Sequence, residues 1–192
     1  QKPNVPDWHK NATIYEVNLR QYTTENTFRS FELHIPRLKN MGIDILWFMP
    51  VNPISIKNRK GELGSPYSVA DYYKTNPDYG TMEDFKHMVK AIHNAGMYII
   101  IDWVPNHTGW DNPWITQHPD WYQKDKKGNI TDPIDYNTGE SWGWTDVAAL
   151  NYKNKEMRLG MINALKYWVN ETGIDGFRTD VAHAVPVDFW SQ

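Results

Sequence analysis

The sequence predicts an α/β fold: the first half, strands 1–4, of a (β/α)8 (TIM) barrel, with a short lobe inserted after the third strand. Three observations predict it. Apolar runs typical of buried strands alternate three times with helical patterns that end at a glycine, and a fourth strand follows. The chain has 192 residues, whereas a complete barrel of this kind needs about 250. The connection 108–151 is too long for a simple loop in a compact domain.

The first unit begins with Thr13–Leu19, in which apolar and polar residues alternate as in a strand. Apolar residues over 28–41 recur at helical spacing, and Pro36 predicts a kink or a late start there. Gly42 ends this helix, and the apolar run Ile43–Met49 predicts a strand that is covered on both faces.

The second unit continues through a loop, 50–80, to a helix that begins after Thr81 as N-cap and ends at about Ala95. Gly96 and the strand Met97–Trp103 follow. A hairpin is expected around 127–129 in the long connection.

The third unit is the helix Lys155–Glu171, followed by the strand Ile174–Asp180, and a fourth helix is predicted to open near Pro186. The residues of the third helix expected to face inward are Met157, Met161, Ile162, Leu165, Trp168 and Val169. The predicted units are thus 1–107 with 152–192, the amino-terminal half of the barrel, and 108–151, the inserted lobe. A doubly wound open sheet is the alternative, disfavoured because no glycine-rich phosphate loop follows the first strand.

Composition excludes several classes of function. The net charge of −3 without a block of like charge argues against nucleic acid as a partner. No apolar run is long enough to span a membrane, and no signal peptide is recognisable at Gln1. The absence of cysteine excludes disulfides and thiolate chemistry. Ten Trp and eleven Tyr, five of the Trp within 110–144, provide flat surfaces that can stack on sugar rings.

Polar residues collect where the predicted strands end, the rim on which parallel barrels carry their chemistry. Strand three ends in Asp102, and strand four ends in Arg178 and Asp180. Because side chains alternate along a strand, Arg178 and Asp180 are expected to project together. A guanidinium beside a carboxylate favours the charged carboxylate that a nucleophile needs, although a structural ion pair is an equal reading of this stretch alone.

Four stretches of the sequence resemble motifs of the α-amylase family of glycoside hydrolases, which are retaining enzymes built on a (β/α)8 barrel. They are DWVPNH at 102–107, GFRTD at 176–180, SPYSVADYYKTNPDYGT at 65–81 and WTDVAALNY at 144–152. The resemblance covers nearly the whole chain and implies that Asp180 is the nucleophile and that Arg178 holds it ionised. Asp102 would support that arginine and the shape of the pocket.

The resemblance also implies that His107 hydrogen-bonds the sugar being cleaved and that Tyr67 stacks beneath it. Asn106 matches a position that binds a structural calcium ion in many relatives. The calcium site is doubtful here because Ala149 stands where those relatives have an aspartate, and no cofactor is otherwise required. His183 replaces a lysine that lies near the next sugar.

Retaining hydrolysis needs a second carboxyl group about 5–5.5 Å from the nucleophile. In the family this acid lies on the fifth strand, so these 192 residues are expected to be inactive without the carboxyl-terminal half of the barrel. The first hypothesis is therefore part of an enzyme that cleaves starch-like α-glucans or maltodextrins outside the cell or in the periplasm, with a cytoplasmic location left open.

Two other hypotheses remain open at this point. The first is a family member that no longer catalyses and serves as a binding or interaction module, although every expected site residue is present. The second is a metal-dependent hydrolase that uses Asp102, His107 and His183, whose spacing is unlike the common zinc motifs.

Overall fold

The structure, a computed structural model, describes residues 7–135 and 138–192. It contains a four-stranded parallel sheet in which β1 (Ile14–Val17), β2 (Ile45–Phe48), β3 (Tyr98–Trp103) and β6 (Gly176–Thr179) are neighbours in that order. The sheet is that of a partial (β/α)8 barrel, as predicted, and β1 and β6 are its edges. The small parts of the predicted units at 1–6 and 136–137 lie outside the described residues.

Helices join the parallel strands. They are α1 (Leu19–Tyr22), α2 (Phe28–Glu32) and α3 (Ile35–Asn40) after β1, then α4 (Met82–Asn94) after β2. After β3 come α5 (Trp114–Gln117), within the inserted lobe, and α6 (Lys155–Thr172), and α7 (Val187–Trp190) follows β6. Short 3-10 helices lie at Asp7–His9, Pro119–Trp121 and Ala182–Ala184.

The capping residues explain where the longer helices begin and end. Thr81 and Asp84 form a reciprocal capping box at the start of α4, as the sequence predicts. Asn154 accepts the Met157 N–H at the start of α6. Gly173 then ends α6 with φ +75°, a left-handed conformation that glycine adopts without a steric cost.

Several predicted boundaries are wrong. Leu19 begins a short helix instead of ending the first strand. The interruption predicted from Pro36 within 28–41 is confirmed, but it is a break into two helices: the chain turns at 33–34, and Pro36 occupies the first turn of α3, where a missing N–H costs nothing. Val169, expected to face inward, is exposed. The last strand begins at Gly176, after Asp175, whose carboxylate accepts the Ile99 N–H.

The sheet face that packs on the helices holds the core. Leu46, Phe48, Ile99, Ile101 and Trp103 are at most 1% exposed there. The opposite face, which lines the interior of the partial barrel, carries Trp47, Ile100 and Arg178, which are partly exposed. Ile45 and Asp102 lie on this second face and are buried, at 5% and 0% exposed.

The predicted lobe contains a two-stranded antiparallel sheet of β4 (His107–Gly109) and β5 (Val147–Ala149). The predicted hairpin around 127–129 is confirmed by an antiparallel bridge between Lys124 and Ile130.

The lobe packs on the barrel through Trp121, which lies against Gly160 of α6. A methyl group at Gly160 would come within 2.6 Å of two ring atoms of Trp121. We therefore expect Gly160→Ala to destabilise the full-length protein by about 1–3 kcal/mol through overpacking, although Gly→Ala within an exposed helix normally stabilises. Chemical unfolding measures the effect. Asn163→Ala, on the exposed side of α6, is the matched control and should be neutral or stabilising.

Candidate active site

The site lies at the carboxyl ends of β2, β3 and β6. Asp102 and Arg178 are register partners on adjacent strands, and Asp180 follows β6 directly. The Asp180 N–H donates to the Trp103 carbonyl at 2.8 Å, which fixes the backbone of Asp180 against β3. The three side chains share one face because Asp102 and Arg178 are opposite each other in the parallel register and Asp180 lies two residues beyond Arg178.

Arg178 is the centre of the hydrogen-bond network. Its Nη1 donates to Asp180 Oδ1 at 2.8 Å and to Asp102 Oδ1 at 3.0 Å. Its guanidinium carbon lies 5.0 Å from the ring centroid of Trp47, within cation–π range. One cation therefore orients both carboxylates, and Arg178 and Asp180 project to the same side, as strand alternation predicts.

Asp102 is fully buried and is surrounded by donors. Tyr67 donates its hydroxyl to Asp102 Oδ2 at 3.1 Å, and Trp47 donates its Nε1–H to the same oxygen at 3.3 Å. Burial raises the pKa of Asp102 to about 6, against the lowering influence of Arg178 and Tyr67. Burial and the Asp102 carboxylate also raise the pKa of Tyr67, so its hydroxyl stays protonated and remains a donor.

His107 begins β4 and is 3% exposed. Burial lowers its pKa to about 4, against the opposing charges of Asp180 and Asp146, so its ring is neutral at pH 7. The Tyr72 hydroxyl hydrogen-bonds the carbonyls of Val104 and His107 and holds the turn that carries this ring.

A cavity of about 320 Å³ opens against Asp180. The residues that line it are Ser65, Tyr67, His107, Trp144, Asp146, Val147, Asp180 and Val181. Val181 has φ +48°, a rare conformation for a β-branched residue that stores backbone strain directly after Asp180. The structure therefore brings Asp180, Tyr67 and His107 together around one cavity, with Asp102 and Arg178 behind it.

His183 lies apart from this group. It is exposed and lines a neighbouring cleft of about 710 Å³, between the inserted lobe and the segment after β6. The expectation that it serves the next sugar, rather than the ring being cleaved, is compatible with this position and stays a prediction.

Asn106 is buried next to His107, and its amide nitrogen lies 3.2 Å from His107 Nδ1. Within residues 7–135 and 138–192, no three side chains of His, Cys, Asp or Glu cluster so that they could hold a metal ion. The calcium site at Asn106, with Ala149 in place of an aspartate, stays a prediction. In the same described residues, no helix has the length and apolar character to cross a bilayer.

Sequence reasoning missed three residues of the site: Trp47, Lys60 and Trp144. Trp47 could have been found, because it lies on the same strand face as Asp102 once the parallel register is set. Lys60 and Trp144 come from segments without periodic structure, so their approach to the pocket follows from tertiary contacts alone.

The titration of His107 and that of Asp102 are expected to affect stability in opposite directions. His107 has a folded pKa below its ordinary value of 6.5, so the unfolded chain binds more protons and stability falls as the pH falls from 6.5 to 4. Asp102 has a folded pKa above its ordinary value of 3.8, so the folded chain binds more protons and stability falls as the pH rises from 4 to 6. The two effects largely offset each other between pH 4 and 6.

We therefore expect His107→Gln to leave only the effect of Asp102 on the stability of the full-length protein, so that stability falls as the pH rises. Its free energy of unfolding should fall by roughly 2–3 kcal/mol, relative to the parent protein, as the pH rises from 4 to 6. Asp102→Asn, the matched variant, should instead gain stability relative to the parent over the same range. Urea unfolding at stepped pH measures both slopes. Parallel curves for the two variants would contradict the assigned pKa values.

A parallel partial barrel that carries an arginine-held carboxylate at its carboxyl rim defines a class of enzyme domain with its chemistry in the strand-end loops. Residues 31–190 match the alpha amylase catalytic domain family. The chain is 32% identical over 193 residues to Alpha-amylase 3 of Dictyoglomus thermophilum, covering 91% of this chain and 37% of that protein.

Two solved structures of alpha-amylases are similar to this chain in fold and sequence. An alpha-amylase from Lactobacillus plantarum superposes with a TM-score of 0.87 at 41% identity, covering 94% of this chain and 40% of that one. A noncanonic maltogenic alpha-amylase from Thermotoga neapolitana superposes with a TM-score of 0.87 at 43% identity, covering 96% of this chain and 42% of that one. This chain belongs to the α-amylase family of glycoside hydrolases and spans less than half the length of these relatives.

Proposed function

We propose that the protein containing this chain cleaves α-glucosidic linkages of starch-like glucans or maltodextrins by a retaining double displacement. The observation that carries the proposal is Asp180, whose carboxylate faces the cavity while Arg178 holds it at 2.8 Å. A charged carboxylate fixed in one orientation is suited to attack an anomeric carbon and form a glycosyl-enzyme.

The neighbours of Asp180 suit the binding of a neutral sugar. His107 is neutral and buried at the cavity wall, so its ring can hydrogen-bond a hydroxyl without bringing a charge. Tyr67 lines the cavity with its hydroxyl anchored on Asp102, which fixes the ring as a stacking surface. Relatives named alpha-amylase, maltase and oligo-1,6-glucosidase support an α-glucan as the substrate.

The general acid is proposed to come from the carboxyl-terminal half of the barrel. Asp146 is the other carboxylate that lines the cavity among the described residues, and its Oδ1 is already paired with Lys60 Nζ at 3.5 Å. The second half of the barrel is therefore needed for turnover.

The stereochemistry of the first product tests this proposal. Proton NMR of maltodextrin cleavage by the full-length protein should show the α-anomer first, with the β-anomer appearing only as mutarotation proceeds. Release of the β-anomer first would rule out a double displacement. Binding of maltodextrin without cleavage would favour the non-catalytic module instead.

A further inference from the structure

Trp144 stands at the mouth of the Asp180 cavity and is contributed by the inserted lobe. Its ring centroid lies 5.7 Å from that of His107 at 73°, and 4.9 Å from that of Trp142 at 70°. Despite these two neighbours the residue is 36% exposed. A large aromatic side chain is thus held on two sides and still presents ring surface to solvent beside the cavity.

The segment that carries Trp144 is fixed by side chains from elsewhere in the chain. Lys60 Nζ donates to the Gly143 carbonyl at 2.5 Å, and Trp110 Nε1 donates to the Thr145 carbonyl at 3.0 Å. The Ser68 hydroxyl donates to the Asp146 carbonyl at 2.9 Å. Three backbone carbonyls around Trp144 therefore accept hydrogen bonds from distant side chains, which fixes the backbone that carries the ring.

Lys60 does more than satisfy one carbonyl. Its ammonium also pairs with the Asp146 carboxylate, which is nearly buried. Lys60 belongs to the loop after β2, the loop that also carries Tyr67, so it ties the two walls of the cavity together. The segment that carries Trp144 is consequently joined to the loop that carries Tyr67, and both residues line the cavity.

We propose that Trp144 is a sugar-stacking, specificity-determining residue that takes the glucosyl unit next to the one bound at Asp180, and that Lys60 is the positioning residue that holds it. This inference rests on the proposed function. Sugar rings present apolar C–H faces, and a rigid, partly exposed indole offers a flat surface for them at little cost in side-chain entropy. Trp144 lines the same cavity as Asp180 and is partly exposed, so its ring is within reach of a unit adjacent to the one at Asp180.

Binding measurements on the full-length protein with Asp180→Asn as background, which prevents turnover, test the proposal. We expect Trp144→Ala to raise the Kd for maltotetraose about 10-fold in isothermal titration, a typical loss for a central tryptophan contact, and to change the Kd for glucose less than twofold. Trp144→Phe should retain most of the affinity. Tyr73→Ala is the matched control, because Tyr73 is 37% exposed and packs on Tyr167, outside the cavity lining.

The Lys60 variants separate positioning from general stability. Lys60→Met should weaken maltotetraose binding in the same direction, and Lys60→Arg should restore it, while the Kd for glucose stays constant. These variants decide the question alone if Trp144→Ala fails to fold. A Kd for maltotetraose within twofold of the parent, in Trp144→Ala or in Lys60→Met, would overturn the proposal. A parent protein that neither binds nor cleaves α-glucans would instead refute the proposed function.

Discussion

Asp180→Asn is expected to lower kcat of the full-length protein on maltodextrins by about 10⁴-fold or more, the scale seen when a nucleophile is removed from an enzyme. An amide has the shape of the carboxylate, but it cannot attack the anomeric carbon or leave as a stable carboxylate. Arg178 keeps its contacts with Asp102 in this variant, so the network behind the cavity stays intact.

The stability of Asp180→Asn should change by less than about 1 kcal/mol, because only one contact of a partly exposed guanidinium is weakened. Asp175→Asn is the matched control, with the same substitution just before the other end of the same strand. Asp175 accepts the Ile99 N–H and contacts His93 there, so its loss should cost stability and leave kcat within twofold. Comparable kcat values for Asp180→Asn and the parent would reject Asp180 as the nucleophile.

Arg178→Met is expected to produce the largest combined loss of stability and activity. The substitution removes the cation from the fully buried Asp102 carboxylate, which keeps only the Tyr67 and Trp47 donors. Breaking a buried ion pair by deleting one partner costs about 3–5 kcal/mol, and about 3 kcal/mol is expected here because the guanidinium is 37% exposed. The pKa of Asp102, already raised by burial, should rise further once its cation is gone.

Loss of orientation at Asp180 should lower kcat by about 10²–10³-fold in Arg178→Met, the effect of removing one preorganised donor from an active site.

A double-mutant cycle with Asp102→Asn tests whether the loss of stability comes from the unpaired Asp102 carboxylate. Arg178→Met should cost at least 1 kcal/mol less stability in the Asp102→Asn background, because no charge is then left unpaired. Arg178→Lys should recover only part of the activity, since an ammonium cannot stack on the Trp47 ring as the planar guanidinium does. Additive costs in the cycle would contradict the shared network.

The repeating order of strands and helices could be predicted because a glycine ends each predicted helix before the next buried strand begins. Gly42, Gly96 and Gly173 all adopt left-handed backbone after a helix, where other residues are disfavoured. The position of Asp180 beside Arg178 followed from strand alternation alone. Thr81 and Asp84 predicted the start of α4 through their reciprocal hydrogen bonds.

The remaining features depend on contacts between distant segments. The donation from Tyr67 to Asp102 joins residues 35 apart, and the pairing of Lys60 with Asp146 joins the β2 loop to the lobe. Neither spacing nor periodicity encodes such contacts. Val169 is exposed for a similar reason. Which face of α6 is buried depends on the segments that pack against it, and the apolar residues of the helix alone do not determine it.

Trapping the covalent intermediate tests the central claim most directly. The full-length protein would be incubated with a slow fluorinated α-glucosyl substrate, digested, and its peptides measured by mass spectrometry. A glycosylated peptide that contains 176–180, with the sugar on Asp180, is the predicted result, and the label should be absent in Asp180→Asn. A sugar attached to another carboxylate, in a protein that retains anomeric configuration, would contradict the account.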